Sequence, residues 1–524
     1  MSPLLEYSDQ FRAPIWMVAV RLAVVLAIAW VVGPMLSRTR WGTAILSSKK
    51  ENPRSLIGIV AVLAWFVLFS VGMLRHLTFH SKAWDLAIFD QVIWNLANGN
   101  GWQCSVRGVQ DLRGDHFEPI LLIFVPIYRL MPHVGWLLGA QAAALVGAGV
   151  ILWTTYRRKI GDAAAFMLFL AYLFFPPIHW LSIADFHPIA LAPLFVMIAW
   201  WGRERGKVAA FIAGLVGLGL CGEEGFIVAG WWGFWEFLVS GISRATRRPA
   251  IGWTGLAAMV LFWAGFVYLS AVYIPAHRVE GAGYFYVHRY AYLGHNLSDI
   301  VRNFFTRPDL WIGHLADSRS MALLALYLVP LALLPLLRPK VLALLIPTAI
   351  YTLLSQSPEQ KSIFHQYTAM WIPFLMIAAS EALGKLGADR LLVDQRSQDQ
   401  MGTGIRSLPP DHDLHSPDQP PGRQGSAPVP FFSVFPILIA SFLAFLAFSP
   451  IFGLSIHPEL FQPEPWAGEA KGIVASIGPD QAVSAPSALC PHLSHRRVLL
   501  LKPDNKWPGT GEILMLPDFP PPAN

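Results

Sequence analysis

Apolar residues run along this chain in blocks of roughly 15 to 25, separated by short loops that alternate between basic and acidic. The first block, residues 15–36, is longer than the apolar core of a secretory leader and lacks an Ala-x-Ala site, so it is expected to stay as a membrane span. Arg38, Arg40, Lys49, Lys50 and Arg54 follow it. By the positive-inside rule this loop is cytoplasmic and the amino terminus is outside. Residues 56–74 then cross outward and residues 134–156 return to Arg157, Arg158 and Lys159. Residues 163–183 lead out to Asp185-Phe186-His187-Pro188, and 189–201 lead back to Arg203, Arg205 and Lys207.

Residues 208–226 contain Glu223-Glu224, and the next basic cluster is Arg244, Arg247 and Arg248. For that cluster to be cytoplasmic, the glutamates must form the apex of a helical hairpin. One long helix would instead put three arginines in a short outer loop. The first arm is only about 14 apolar residues, against roughly 20 needed to span. The pair is therefore drawn below the membrane surface, where an unpaired charge is costly. Residues 253–274, 322–337, 341–354, 368–383 and 431–448 complete about 12 spans, with 120–130 as a half-helix at the outer face.

The expected architecture is an all-α polytopic membrane protein with a small C-terminal extracytoplasmic α/β domain. It divides into an added span and basic loop (1–55), a main bundle (56–384) and a disordered cytoplasmic linker rich in Pro, Gln, Gly and Asp (385–430). A last span (431–450) and a tail (451–524) follow. The tail carries a helix at 466–477, a strand near 482, a short helix near 489 and a strand at 498–501.

Composition supports the membrane class. Of 524 residues, 54% are hydrophobic and 14% charged, where a soluble domain carries about 25% charged. The mean hydropathy is +0.47, and the 21 tryptophans suit bilayer interfaces. The net charge of +6 reflects cytoplasmic Lys and Arg, with no basic aromatic domain to suggest nucleic acid. Cys104, Cys221 and Cys490 make neither a disulfide framework nor a metal cluster, and are expected as free thiols.

The candidate chemistry centres on the loop 76–119. Asp85, Asp90, Asp115, His116, Glu118, Asp185, His187, Glu223 and Glu224 all fall on the outer side, with no acidic group of comparable density at the inner ends. Convergent carboxylates and imidazoles are what a general base or a metal site requires. Residues 84–102 read as a surface helix, with Asp85 as N-cap and Asn98-Gly99 as stop. Helical spacing separates Asp85 from Asp90 by about 140°. A long outer loop interleaves Arg278, His288 and Arg289 with Tyr284, Phe285, Tyr286, Tyr290 and Tyr292. Cations beside aromatics at a membrane surface suit a lipid-linked phosphate, and Lys361, His365 and Tyr367 are further candidates. A non-enzymatic transporter of lipid-linked glycans would use the same groups, but it needs ionisable residues at mid-span. Beyond the glutamate apex there are almost none.

Phe89-Asp90-Gln91 with Trp94-Asn95, Gly114-Asp115-His116-Phe117, Asp185-Phe186-His187-Pro188 and the tail phrase Pro491-His492-Leu493-Ser494-His495-Arg496 resemble the domain of unknown function 2079 family of bacterial membrane proteins. That family in turn looks like the GT-C glycosyltransferases, which use polyprenyl-phosphate sugars. In their aminoarabinose and protein-mannosyl members, an Asp opens a surface helix and a second acidic residue follows in a Phe-Glu context. Asp85 to Trp102 and Phe117-Glu118-Pro119 match this arrangement. The resemblance implies an inverting transferase on the outer face of the inner membrane, with Asp85, or else Asp90, as base. Asp115, His116 and Glu118 would hold a divalent metal (Mg, Mn or Zn) or orient the donor, and Arg278 or Arg289 would hold the leaving phosphate. Leu86 stands where an adjacent acidic residue is common, so the choice of base and the use of a metal stay open, and Gly222 stands before Glu223 where the family carries a Lys.

Overall fold

The structure, a computed structural model, describes residues 5–39, 53–106, 108, 110–241, 249–278, 285–401, 434–502 and 514–515. The basic loops at 40–52 and 242–248, and residues 402–430 of the expected linker, lie outside them. Each apolar block becomes a helix because, in a bilayer, a segment must satisfy its own backbone amides. The chain begins with α1 (Leu5–Phe11), α2 (Ile15–Arg38) and α3 (Pro53–Leu77). α2 and α3 expose Val24, Val31, Val62, Leu63 and Phe66, a surface suited to lipid. The expected surface helix is α4 (Ile88–Ala97), preceded by a wide turn at Ala83–Ala87 and stopped at Asn98 and Gly99, whose φ is +80°. Asp85 thus lies inside that first turn and caps no backbone amide.

Next come α5 (Gly135–Ile160), α6 (Asp162–Leu173), α7 (Pro176–Ile183) and α8 (Ala192–Arg205). Pro176 and Pro177 remove two amide donors, and α6 and α7 are bent by 47°. The hairpin follows as α9 (Val208–Leu220) and α10 (Glu223–Glu236), broken at Cys221-Gly222. α10 crosses α11 (Pro249–Tyr268) where two glycines meet: a Cβ on Gly233 would stand 2.5 Å from the Gly255 carbonyl oxygen. Among the described residues, five helices are long and apolar enough to cross a membrane, or six if the bent pair α6 and α7 is one span. The segments Val208–Leu220, Ser318–Leu331, Pro339–Leu353 and Val434–Phe448 are shorter, so length alone does not reach the expected count of about 12. The chain is a multi-pass membrane protein.

The remaining named helices are α12 (Leu297–Thr306), α13 (Ser318–Leu328), α14 (Ile346–Leu353), α15 (Trp371–Met401), α16 (Val434–Phe448) and α17 (Ala467–Ser476). α15 runs on through residues 385–401, which the sequence reading places in the linker. In the tail, β3 (Val483–Ala485) pairs in parallel with β4 (Leu499–Leu501) and antiparallel with β5 (Leu514–Met515). A two-stranded ribbon in the loop, β1 (Gln103–Cys104) and β2 (Gln110–Asp111), is antiparallel.

The two ends of the bundle differ. At the basic end, Lys159 Nζ lies 2.9 Å from Glu381 Oε1 and 2.5 Å from Glu204 Oε2. Arg203 Nε is 2.6 Å from Glu236 Oε2, and the Tyr156 hydroxyl donates to Glu381 at 2.8 Å. This corrects the expectation that acidic groups are sparse there: Glu204, Glu236 and Glu381 come from separate helices and meet only in the fold. At the other end, Tyr7 and Phe11 of α1 are fully buried, with their rings 5.2 and 5.3 Å from Phe364.

Candidate active site

His187 precedes α8, whose far end is Arg203, and Glu223 opens α10, whose far end is Glu236. Both residues therefore sit at the end of the bundle opposite the basic network. There, a cavity of about 550 Å³ gathers Asp85, Asp115, His116, Glu118, His187, Glu223, Glu224 and Arg289. These side chains come from the loop 76–119, the Asp185–Pro188 turn, the hairpin apex and the long outer loop.

Asp85 Oδ1 lies 3.0 Å from His187 Nε2. Burial opposes the charge on Asp85, but the His187 imidazole beside it holds the carboxyl below its usual range. Burial likewise pulls His187 down, and Asp85 more than offsets it, so the imidazole is raised. Each shift favours the charged form of its group, so the pair is drawn toward carboxylate and imidazolium. Phe89 packs edge-on to the His187 ring at 5.3 Å.

A second cluster surrounds His116. Its Nδ1 donates to Glu223 Oε1 at 2.9 Å, and its Nε2 donates to the Tyr286 hydroxyl at 2.7 Å. The Tyr286 hydroxyl in turn donates to Asp115 Oδ1 at 3.2 Å. The Phe117 amide gives Glu223 Oε2 a further bond at 3.2 Å. Burial disfavours the imidazolium, yet Tyr286, Glu223 and Asp115 raise His116 well above its ordinary value. Glu118 is different. Its Oε2 is buried without a hydrogen-bond partner. Burial, reinforced by Glu223 and Glu224, pushes its carboxyl up to about 8, so it keeps its proton at neutral pH.

Arg289 is held by aromatics, with its guanidinium 4.5 Å from the Tyr286 ring centroid and 3.1 Å from the Tyr367 hydroxyl. Beyond it the wall turns apolar, formed by Ile227, Phe266, Leu293, Ile300, Phe304, Ile350 and Leu354. Leu297, Val301 and Phe305 of α12 line the cavity and are exposed.

The other candidates lie elsewhere. Asp90 is wholly buried, bonded to Tyr128 and Ser494 and ion-paired with His495; it does not line the cavity. Asp185 sits behind His187, where it pairs with Arg75 and accepts the Lys82 amide at 2.7 Å. Lys361 is buried against Asp317, and His365 lies 3.5 Å from Glu6. Arg278 and His288 are not among the lining residues. Among the described residues, no three His, Cys, Asp or Glu side chains are gathered as a ready-made set of metal ligands. His116 and Asp115 are engaged with Glu223 and Tyr286. All three cysteines are buried free thiols.

The DUF2079 family, described as a predicted membrane protein, matches residues 75–401. The chain belongs to it. Every cavity residue named above falls within the DUF2079 span, whereas the tail phrase Pro491–Arg496 lies beyond it. No curated protein matches the chain. Among solved structures, ArnT from Cupriavidus metallidurans bound to undecaprenyl phosphate is similar at 14% identity, over 86% of each chain, with a TM-score of 0.48. Its apo form is similar at 15% identity over the same shares, also with a TM-score of 0.48. Within the DUF2079 site, the sequence reading missed Tyr351, Gln360 and Gln366 as lining residues, and Arg75 as the partner of Asp185. Arg75 had a legible signal, a cation at the end of a span just before the acidic loop. Tyr286 was legible only as one of several interleaved aromatics.

Proposed function

We propose that this chain is a membrane glycosyltransferase that moves a sugar from a polyprenyl-phosphate donor to an acceptor on the outer face of the bacterial inner membrane. One observation carries the reading: a single cavity joins a charged end, Asp85, His187, His116 and Arg289, to an apolar wall. A substrate matching both parts has a polar, anionic head and a long hydrocarbon tail. The one-sided site and the ion-paired opposite end support chemistry over passage. In this proposal the shorter helices also cross the membrane, giving about 12 spans, and the tail forms an α/β domain on the cavity side.

In the proposed reaction the acceptor hydroxyl loses its proton to Asp85 as its oxygen bonds to the anomeric carbon. The bond from that carbon to the phosphate oxygen breaks on the opposite face, and the lipid phosphate leaves with the electron pair. Arg289 stands where it can neutralise that phosphate, and its planar guanidinium suits two oxygens at once. Asp115 and His116, fixed through Tyr286 and Glu223, orient the donor, and Glu118 adds a neutral carboxyl that donates a hydrogen bond. No step requires a metal.

The test is release of lipid phosphate from radiolabelled polyprenyl-phosphate sugars by the purified protein. Asp85→Asn is expected to lower it by about 10²-fold or more while leaving membrane insertion intact. Undiminished release would remove Asp85 from the mechanism, and no release from any donor would remove the transferase reading.

A further inference from the structure

Asp90 is a fully buried carboxylate outside the cavity, and nothing in the proposed transfer uses it. It accepts from the Tyr128 hydroxyl at 2.6 Å and from Ser494 Oγ, and His495 Nε2 lies 3.0 Å away, within ion-pair reach but not aligned for a hydrogen bond. Three segments distant in sequence therefore meet on one side chain: α4, the short helix at Val125–Leu130 and the tail. A buried ion pair is at best a weak source of stability, and its best-attested use is to fix register.

The surrounding contacts are of the same kind. Gln91 Nε2 donates to Ser105 Oγ at 2.8 Å and to the Arg496 carbonyl at 2.9 Å. The Ala83 amide donates to Ser487 Oγ at 3.1 Å, and the His76 and His492 rings stack at 4.1 Å. The tail thus grips one side of α4 and its leading turn. The other side presents Asp85, Ile88 and Phe89 to the cavity, where Asp85 meets His187 and Phe89 packs on the same ring. A turn of α4 about its axis cannot loosen the tail contact without moving Asp85.

We propose that the C-terminal tail is a positioning element of the cavity, and that the Asp90–His495 ion pair holds α4 in the rotation at which Asp85 meets His187. The inference rests on the transfer reading for its kinetic test and has a second readout that does not. Asp90 and His495 are positioning residues and touch no substrate.

The experiment compares wild type, Asp90→Asn, His495→Gln and the double variant, with activity counted per folded molecule. A misplacement near 1 Å costs on the order of 10²-fold in rate, so each single variant is expected to lose kcat on that scale with the donor KM unchanged. The double variant should fall no further than either single one, because the two side chains act as a unit. Should Asp90→Asn fail to fold, His495→Gln, at the half-buried rim, carries the comparison. Unchanged kcat in the folded variants overturns the proposal. Should wild type turn over no donor, the transfer reading fails, and hydrogen exchange of residues 83–97 and 184–191 decides the positioning role. Faster exchange in both segments of the His495→Gln protein supports it, and acceleration confined to the tail overturns it.

Discussion

His187 sets how good a proton acceptor Asp85 can be. The imidazole keeps Asp85 ionised to lower pH than an ordinary carboxylate, at the cost of some basicity. Replacing His187 with Gln removes the group that lowers Asp85 most and leaves burial opposed only by His365 and Arg75, so the Asp85 pKa rises. The acid limb of kcat/KM for donor turnover should therefore move to higher pH in His187→Gln, read across roughly pH 4 to 8. An unmoved limb would mean that another group titrates there. At this scale the sequence was informative about residue type and membrane face. Asp85, Asp115, His116, Glu118, His187, Glu223, Glu224 and Arg289 share one cavity, and each stood out as a charged or imidazole group between apolar blocks. Asp90 shows where such reasoning stops. Helical spacing separates it from Asp85, but nothing local says which of the two faces the cavity, because its partners Ser494 and His495 are about 400 residues away. The same holds for Lys361: its neutralising Asp317 is a pairing across loops that no periodicity records.

Among the elements, the α9–α10 hairpin contributes most to the site for its length. Its existence followed from charge bookkeeping alone, since only an apex at Glu223-Glu224 keeps the flanking basic clusters on one side. What the sequence could not reveal is how closely the arms approach. A Cβ on Gly225 would stand 2.1 Å from the Leu218 carbonyl oxygen, so any side chain there forces α9 and α10 apart just below Glu223. Gly225→Ala is expected to cost about 1–3 kcal/mol by overpacking and to loosen the His116–Glu223 contact. Thermal unfolding in detergent checks this, with Gly58→Ala as the control, since nothing lies within 4 Å of a Cβ at Gly58. Equal melting temperatures for the two variants would refute the close approach. α15 makes the converse point about composition. Residues 385–401 are polar enough to read as linker, yet they continue a helix begun by the buried Trp371–Leu383 segment, because extending a formed helix is far easier than nucleating one.

For the whole molecule, the separation of a charged cavity at one end from a basic, ion-paired network at the other makes sidedness the property on which every functional statement depends. A lipid-linked donor on the outer leaflet reaches Asp85 only if the cavity end, α1 and the tail all face outward. α1 and the tail are tied together, since His457 Nε2 lies 2.7 Å from the Gln10 carbonyl oxygen and Arg12 pairs with Glu459. They cannot lie on opposite sides of the membrane. The native thiols are all buried, so introduced cysteines can be read against a low background. Asp480, in the tail, and Arg158, at the basic end, are both exposed. In intact spheroplasts a membrane-impermeant maleimide should label Asp480→Cys and leave Arg158→Cys unmodified until the membrane is permeabilised. The reverse pattern would put the cavity in the cytoplasm, where the positive-inside argument fails and an outer-leaflet donor has no access. Labelling of both sites in intact cells would mean that Arg158 and Asp480 are not separated by a bilayer, and the division into a cavity end and a basic end would lose its meaning.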